Sequence, residues 1–166
     1  MIVFSMKGYV QRVQFTNGNV NEYVYGADGR KLRATYRTAI PGIVVPTGDR
    51  HTLTDSELDE EITVRYVDGF EVVGNWDCAN YFFGNGYLDC DTRQHYNFHF
   101  FAKDHLGSTR AVFHSDGTLE NVYDYQTYGN DMCDWGNRLE AMTHKYNGKE
   151  LETRNGLNLY LIQQEM

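Results

Sequence analysis

Three things are scarce in this 166-residue chain, and each narrows what it can be. Proline occurs twice, at Pro41 and Pro46, so nothing here is a proline-rich linker or polyproline ligand. Cysteine occurs three times, as Cys78, Cys90 and Cys133, with no Cys-x-x-Cys pair. That odd count leaves at least one thiol free and describes no disulfide framework, although a single Cys78–Cys90 bridge stays open for an oxidising compartment. No cysteine has a basic neighbour in sequence that would lower its pKa for catalysis. Blocks of Lys or Arg are missing and the formal net charge is −8, which disfavours a phosphate backbone as partner, so no nucleic acid is expected. Long apolar runs are missing as well. The opening MIVFSMKGYVQRVQF lacks the core of a signal peptide, and no stretch approaches the roughly 18 apolar residues of a membrane span. The residues thus direct no export, and the compartment stays unassigned.

Turn residues and aromatics are abundant instead. Aromatics make up 14% of the chain, from 13 Tyr and 9 Phe, types that suit a pleated, half-buried surface. Asn-Gly or Asp-Gly occurs at 17–18, 28–29, 68–69, 85–86, 116–117, 147–148 and 155–156. Two-residue type I′ turns need positive φ at both central positions, and Asx-Gly supplies it at least cost. VQRVQF-TNGN-VNEYVY and AVFH-SDGT-LENVYDY place such pairs between alternating runs. The expected fold class is therefore all-β, built of stacked antiparallel β-hairpins in a meander. NEYVYGADGRKLRATY (21–36) and FHSDGTLENVYDYQTYG (113–129) also share an aromatic strand and an Asp-Gly turn, a weak internal repeat. An isolated hairpin is marginal in water, so these units must lean on neighbours.

Helical signals are few. Thr54 and Glu57 form a Thr-x-x-Glu capping box, but TDSELDEE (54–61) has almost no apolar periodicity and reads as an acidic loop or one helical turn. GNRLEAMTHKY (136–146) has the composition for a short helix that nothing enforces. Pro41 and Pro46 bracket GIVV as an edge strand or irregular crossing. The divisions read from this are hairpins over 1–47, an acidic loop over 48–61, further hairpins over 62–160 and a divergent end at 161–166.

Three motifs carry a family resemblance. Tyr25-Gly-Ala-Asp-Gly-Arg-Lys-Leu32 resembles the YD repeat, with Gly26 where the name-giving Asp usually stands. KDHLGSTRAVFHSDGTLENVYDYQTYG (103–129) is similar to the signature stretch of RHS repeat-associated core domains, and KYNGKELETRNGLNLY (145–160) resembles the segment that follows it there. The resemblance implies a large β-hairpin spiral. In bacterial toxins that spiral is a hollow shell around a C-terminal effector, and animal teneurins share the architecture. The family's core ends in a region that cleaves itself through aspartates near an Asp-Pro motif. This chain has no Asp-Pro, and Leu161–Met166 departs from the family's continuation, so self-cleavage and toxin activity are not carried over. The implied role is a structural, non-enzymatic piece of shell wall. Its implied partners are the remaining shell segments or copies of itself, joined through strand edges.

The tempting sites read as structure. Asp104, His105 and Ser108 are the residue types of a hydrolase triad. Adjacent strand residues point to opposite faces, however, and no Gly-x-Ser-x-Gly turn is present. The expected role is a turn at Leu106-Gly107, with Asp104, Ser108 and Thr109 serving turn backbone and Arg110 pairing with Asp104. His95 and His99 would be ~13 Å apart on a strand, too far for one zinc. The run Asp55, Glu57, Asp59, Glu60, Glu61 lacks EF-hand spacing. No catalytic residue, metal or cofactor is therefore assigned. An enzyme would need His114 or His144 close to a cysteine or aspartate. An alternative reading is a module binding carbohydrate through exposed Trp76, Trp135 and the rings of Tyr81, Phe82, Phe83, Tyr87, Tyr123, Tyr125 and Tyr128, although interlayer packing is the favoured role for these tyrosines and phenylalanines.

Overall fold

A computed structural model describes residues 1–74, 78–90, 95–127, 129, 131–136 and 142–160; the side chains at 78, 79, 90 and 131–136 lie outside the description. The chain runs through β1 (Ile2–Phe4), β2 (Val10–Gln14), β3 (Val20–Tyr25), β4 (Lys31–Ala39), β5 (Leu58–Val67) and β6 (Phe70–Val73). It continues through β7 (Cys78–Phe83), β8 (Gly86–Cys90), β9 (Tyr96–Lys103), β10 (Thr109–His114), β11 (Leu119–Tyr125) and β12 (Asp131–Gly136). All twelve pair antiparallel in sequence order as one uninterrupted sheet. A small hairpin of β13 (Leu151–Glu152) and β14 (Leu159–Tyr160) follows, with short 3-10 turns at Tyr146–Gly148 and Arg154–Gly156. The expected all-β meander of hairpins is the observed fold.

The corners differ from the expected two-residue turns. At residues 5–9, 15–19, 26–30, 104–108 and 114–118 the first residue's N–H donates to the carbonyl of the fifth, and the fourth, a glycine, donates back to the first. Only the glycine is left-handed: Gly8, Gly18, Gly29, Gly107 and Gly117 have φ between +82° and +89°. This is a three-residue loop closed by a glycine bulge. The Asx side chain explains the preference. Asp28 Oδ1 accepts Arg30 N–H at 3.1 Å and Asp116 Oδ1 accepts Thr118 N–H at 2.8 Å, a local bond that holds the loop without any left-handed Asx. True left-handed pairs occur at Asp68-Gly69, Asn147-Gly148 and Asn155-Gly156.

Strand alternation puts one row of side chains on the face that the C-terminal segment covers. Val13, Tyr23, Ala34, Tyr36 and Val64 form one core cluster there, closed by Leu157. Tyr87, Val112 and Tyr123 form a second, closed by Met142. The segment 142–160 is thus a strap across both halves of the sheet. Burying a Leu or Met side chain contributes about 1.5–3 kcal/mol, so each contact is substantial for an element this small. One side-chain contact recurs in two strands, although not at matching places relative to the Asp-Gly turns of the repeat: Asn21 Nδ2 donates to Tyr23 Oη at 3.3 Å, and Asn121 Nδ2 to Tyr123 Oη at 2.9 Å.

The expected acidic loop at 48–61 is corrected at its end. Leu58–Glu61 belong to β5, paired with Arg37–Ala39 of β4. Arg37 Nε binds Glu61 Oε2 at 2.6 Å, so a cross-strand cation balances charge that periodicity alone assigned to solvent. Residues 40–57 form an irregular crossing, as one reading of the two prolines had it, and the Glu57 carboxylate accepts Thr54 N–H at 2.9 Å without starting a helix.

Candidate functional site

The DHLGSTR corner is a scaffold joint. Asp104 Oδ1 accepts the N–H groups of Leu106 and Ser108 at 2.9 and 3.0 Å, and Asp104 Oδ2 accepts Arg110 Nε–H at 2.9 Å. Partial burial would raise the Asp104 pKa, but these donors outweigh it and hold the carboxyl below its usual range. His105 points to solvent. Ser108 and Thr109 do something other than serve their own turn. Ser108 Oγ accepts Asn147 N–H at 3.0 Å and donates to Asn147 Oδ1 at 3.2 Å. Thr109 Oγ1 donates to the His144 carbonyl at 3.2 Å, and Thr109 N–H to the Lys145 carbonyl at 3.0 Å. The signature corner therefore grips the strap through the Tyr146–Gly148 turn.

A second grip repeats the chemistry at the other half of the sheet. Asn155 Nδ2 donates to Asn21 Oδ1 at 2.7 Å, Asn155 Oδ1 accepts from Thr38 Oγ1 at 3.1 Å and from Asn19 Nδ2 at 3.2 Å, and Asn21 Nδ2 donates to the Arg154 carbonyl at 3.2 Å. Asn147 and Asn155 are left-handed at φ 51° and 56°, conformations that asparagine tolerates better than most residues.

Between the two grips lies the feature that carries most of the electrostatics. Lys31 of β4, 5% exposed, ion-pairs with Glu150 of the strap and sits 4.4 Å from the centroid of the Tyr66 ring. Tyr66 Oη donates to Glu150 Oε1 at 2.8 Å, and Tyr36 Oη to Glu152 Oε2 at 2.6 Å. Glu71 of β6, 9% exposed, faces the same space, and its Oε1 has no hydrogen-bond partner among the described residues. Burial, then the Glu150 charge, pushes the Glu71 carboxyl up to about 8, so it is largely protonated at neutral pH. Burial likewise raises Glu152 and lowers His144. Two cavities open here, about 380 Å³ between β4, β6 and the strap and about 280 Å³ beside it, and Glu71 and Glu150 line both.

The remaining candidates separate. His99 is buried on the strap side, its ring stacked 4.4 Å from Tyr87, with Nδ1 at 2.6 Å from Glu120 Oε2 and Nε2 at 3.5 Å from Asp89 Oδ1. His95 lies just before β9, exposed. Among the described residues no group of three or more His, Cys, Asp or Glu side chains is placed to hold a metal ion. His114 Nδ1 meets Asp116 Oδ1 at 3.3 Å, a contact inside one corner whose carboxylate also accepts Thr118 N–H. His144 Nδ1 lies 3.1 Å from Thr143 Oγ1. Of the aromatics, Tyr87 and Tyr123 are core, and Phe82 and Tyr125 pack against them. On the opposite face the Tyr81 ring packs against Phe70 at 4.6 Å, and Phe83 meets Phe100 at 6.2 Å. Trp76, Tyr128, and the side chains of Trp135, Cys78, Cys90 and Cys133 lie outside the described residues.

Sequence reasoning missed the Lys31–Glu71–Glu150–Glu152 cluster. One signal pointed to half of it: alternation turns Glu71 inward on β6, where a charge is costly unless matched, whereas Lys31 is out of phase with the inward Ala34 and Tyr36 and is brought in only by the register shift opposite Tyr25.

No protein-family model matches the chain, and no curated protein matches it. Solved structures do. The crystal structure of TcdB2-TccC3-Cdc42 aligns with TM-score 0.67 at 16% identity over 97% of this chain, and that of TcdB2-TccC3-TEV with 0.66 at 15% over 91%. A Photorhabdus luminescens Tc holotoxin pore with a mutated TccC3 aligns with 0.66 at 16% over 97%. This chain spans only 8–9% of those chains' length. The comparison establishes a shared fold: this meander is built like a stretch of a TcdB2-TccC3 chain.

Proposed function

We propose that the chain is a non-enzymatic structural segment of an RHS/YD-repeat protein, contributing β-hairpins to a shell wall or surface scaffold in a polymorphic-toxin-like system. The observation that carries this reading is the fold likeness to TcdB2-TccC3 chains over 97% of the sequence. The order of the YD-like, DHLGSTR and YNGKE motifs supports it. Its polar residues serve the same end, because the triad-like Asp104 and Ser108 are spent on a corner and on the strap.

In this role the partners are neighbouring shell strands or a second copy, meeting at a strand edge. Among the described residues β1 bonds to β2 on one side and to no strand on the other, and its Ile2 and Phe4 are 47% and 58% exposed. Sedimentation velocity over a hundredfold concentration range tests this. The wild-type chain is expected to self-associate, and the Ile2→Lys/Phe4→Lys variant to stay monomeric with unchanged far-UV circular dichroism. A wild-type monomer throughout the range contradicts the edge-joining role.

A further inference from the structure

We propose that the cavity between Lys31, Glu71 and Glu150 is a binding site for a primary ammonium group, carried by a small amine or by a lysine side chain of another polypeptide. The space is about 380 Å³, within the roughly 300–1,000 Å³ typical of ligand pockets. Its back wall holds an acceptor with nothing to accept: Glu71 is 9% exposed, and Glu71 Oε1 has no hydrogen-bond partner among the described residues. The neighbouring groups are committed elsewhere. Lys31 ion-pairs with Glu150, although its Nζ, like Glu71 Oε1, has no geometrically formed hydrogen bond among the described residues; the second Glu150 oxygen takes the Tyr66 hydroxyl, and Glu152 takes the Tyr36 hydroxyl.

Charge balance points to a cation. Glu71, Glu150 and Glu152 face Lys31, with Arg154 over the Tyr36 ring in the adjoining cavity, so three carboxyls meet two cations. At the rim Arg30 ion-pairs with Asp28 at 2.6 Å and has Asp68 as a more distant carboxylate, and burial disfavours the charged form of His144. Glu71 is the carboxyl left over, neutral while it keeps its proton and without a counter-charge once it ionises. A divalent metal fits poorly, since no set of three ligating side chains converges among the described residues. An ammonium fits the wall as it stands, because Lys31 already shows how it holds one, against a carboxylate with a tyrosine face at 4.4 Å. Occupancy would ionise Glu71, whose carboxyl burial otherwise keeps protonated up to about pH 8, so binding should release a proton.

The test follows the Glu71 δ-carbon by ¹³C NMR through a pH titration of the full chain. The additions are ethylammonium chloride, an acetyl-Gly-Lys-Gly-amide peptide, or sodium chloride at equal ionic strength. Either amine should lower the Glu71 midpoint by about one pH unit relative to sodium chloride, a tenfold preference for the ionised carboxyl, saturably with concentration. The arm that saturates at lower concentration identifies the source. Glu71→Gln should abolish the saturable shifts at neighbouring residues; should that variant misfold, the wild-type titration decides alone. Equal midpoints in all three additions, or amine shifts that persist in a folded Glu71→Gln protein, overturn the proposal. The site does not depend on the shell reading, and the two fail separately.

Discussion

Asn155 reaches across 134 positions of sequence to donate a 2.7 Å hydrogen bond to the side chain of Asn21. That bond fixes the far end of the strap to the N-terminal part of the sheet. Asn155→Ala removes its bonds to Asn19, Asn21 and Thr38 and leaves a buried amide short of a partner, at about 1–3 kcal/mol per orphaned group. Urea unfolding should show a lower midpoint, and hydrogen exchange should rise at 151–160 first. Asn155→Gly keeps the left-handed backbone but loses the same bonds, so an equally large effect there assigns the loss to the side chain.

Stability should fall as pH rises between about 4.5 and about 8. Glu71 has a folded pKa raised from 4.5 to about 8, so the folded state holds its proton more tightly than the unfolded chain. The advantage is complete below the unfolded value and disappears on passing the folded one. Each pH unit separating the two values is worth about 1.4 kcal/mol as an upper bound. Glu152, also raised by burial, acts in the same direction, whereas His144, lowered by burial from 6.5, acts in the opposite one at lower pH, so the decline is clearest between pH 6.5 and 8. Urea midpoints at pH 5, 6.5 and 8 should decline in the wild type and flatten in Glu71→Gln. A midpoint that rises over this range refutes the assignment.

Lys31→Met should be among the most damaging single changes. It leaves Glu150 charged beside the Glu71 carboxyl without its cation, and breaking one side of a buried pair costs about 3–5 kcal/mol. Adding Glu150→Gln removes the stranded charge, so the double variant should be more stable than Lys31→Met alone. Thermal unfolding of the wild type, both single variants and the double variant closes the cycle.

Two glycine substitutions should differ sharply. A Cβ on Gly86 would stand 2.1 Å from the His99 carbonyl oxygen, a backbone atom that cannot yield. A Cβ on Gly117 meets nothing within 4 Å, and only its φ of +87° is strained. Gly117→Ala should cost roughly 1–2 kcal/mol from the left-handed backbone alone. Gly86→Ala should exceed that and depress expression. Equal melting temperatures would show that β8 and β9 can part without penalty.

The hairpins were legible because their instructions are local. An Asx-Gly pair between alternating runs marks a corner whichever loop it builds, and Asp104 and Arg110 lie close enough in sequence for their pairing to be read directly. The loop type was not legible, since Asp28 and Asp116 satisfy the backbone with their side chains instead of turning left-handed. Nor was the buried cluster. Lys31, Glu71 and Glu150 come from β4, β6 and the strap, and each alone resembles an ordinary surface charge. Only the register of the sheet and the path of the strap decide that they meet.

The strap also sets an order of events. Each strand of the meander can zip onto its predecessor as it leaves the ribosome, through contacts between sequence neighbours that close quickly. Residues 142–160 emerge after all twelve strands yet supply Leu157 to one core cluster and Met142 to the other. Until they arrive, both greasy inner patches stay open to chaperones or to another nascent chain, so these two clusters close only with one late latch.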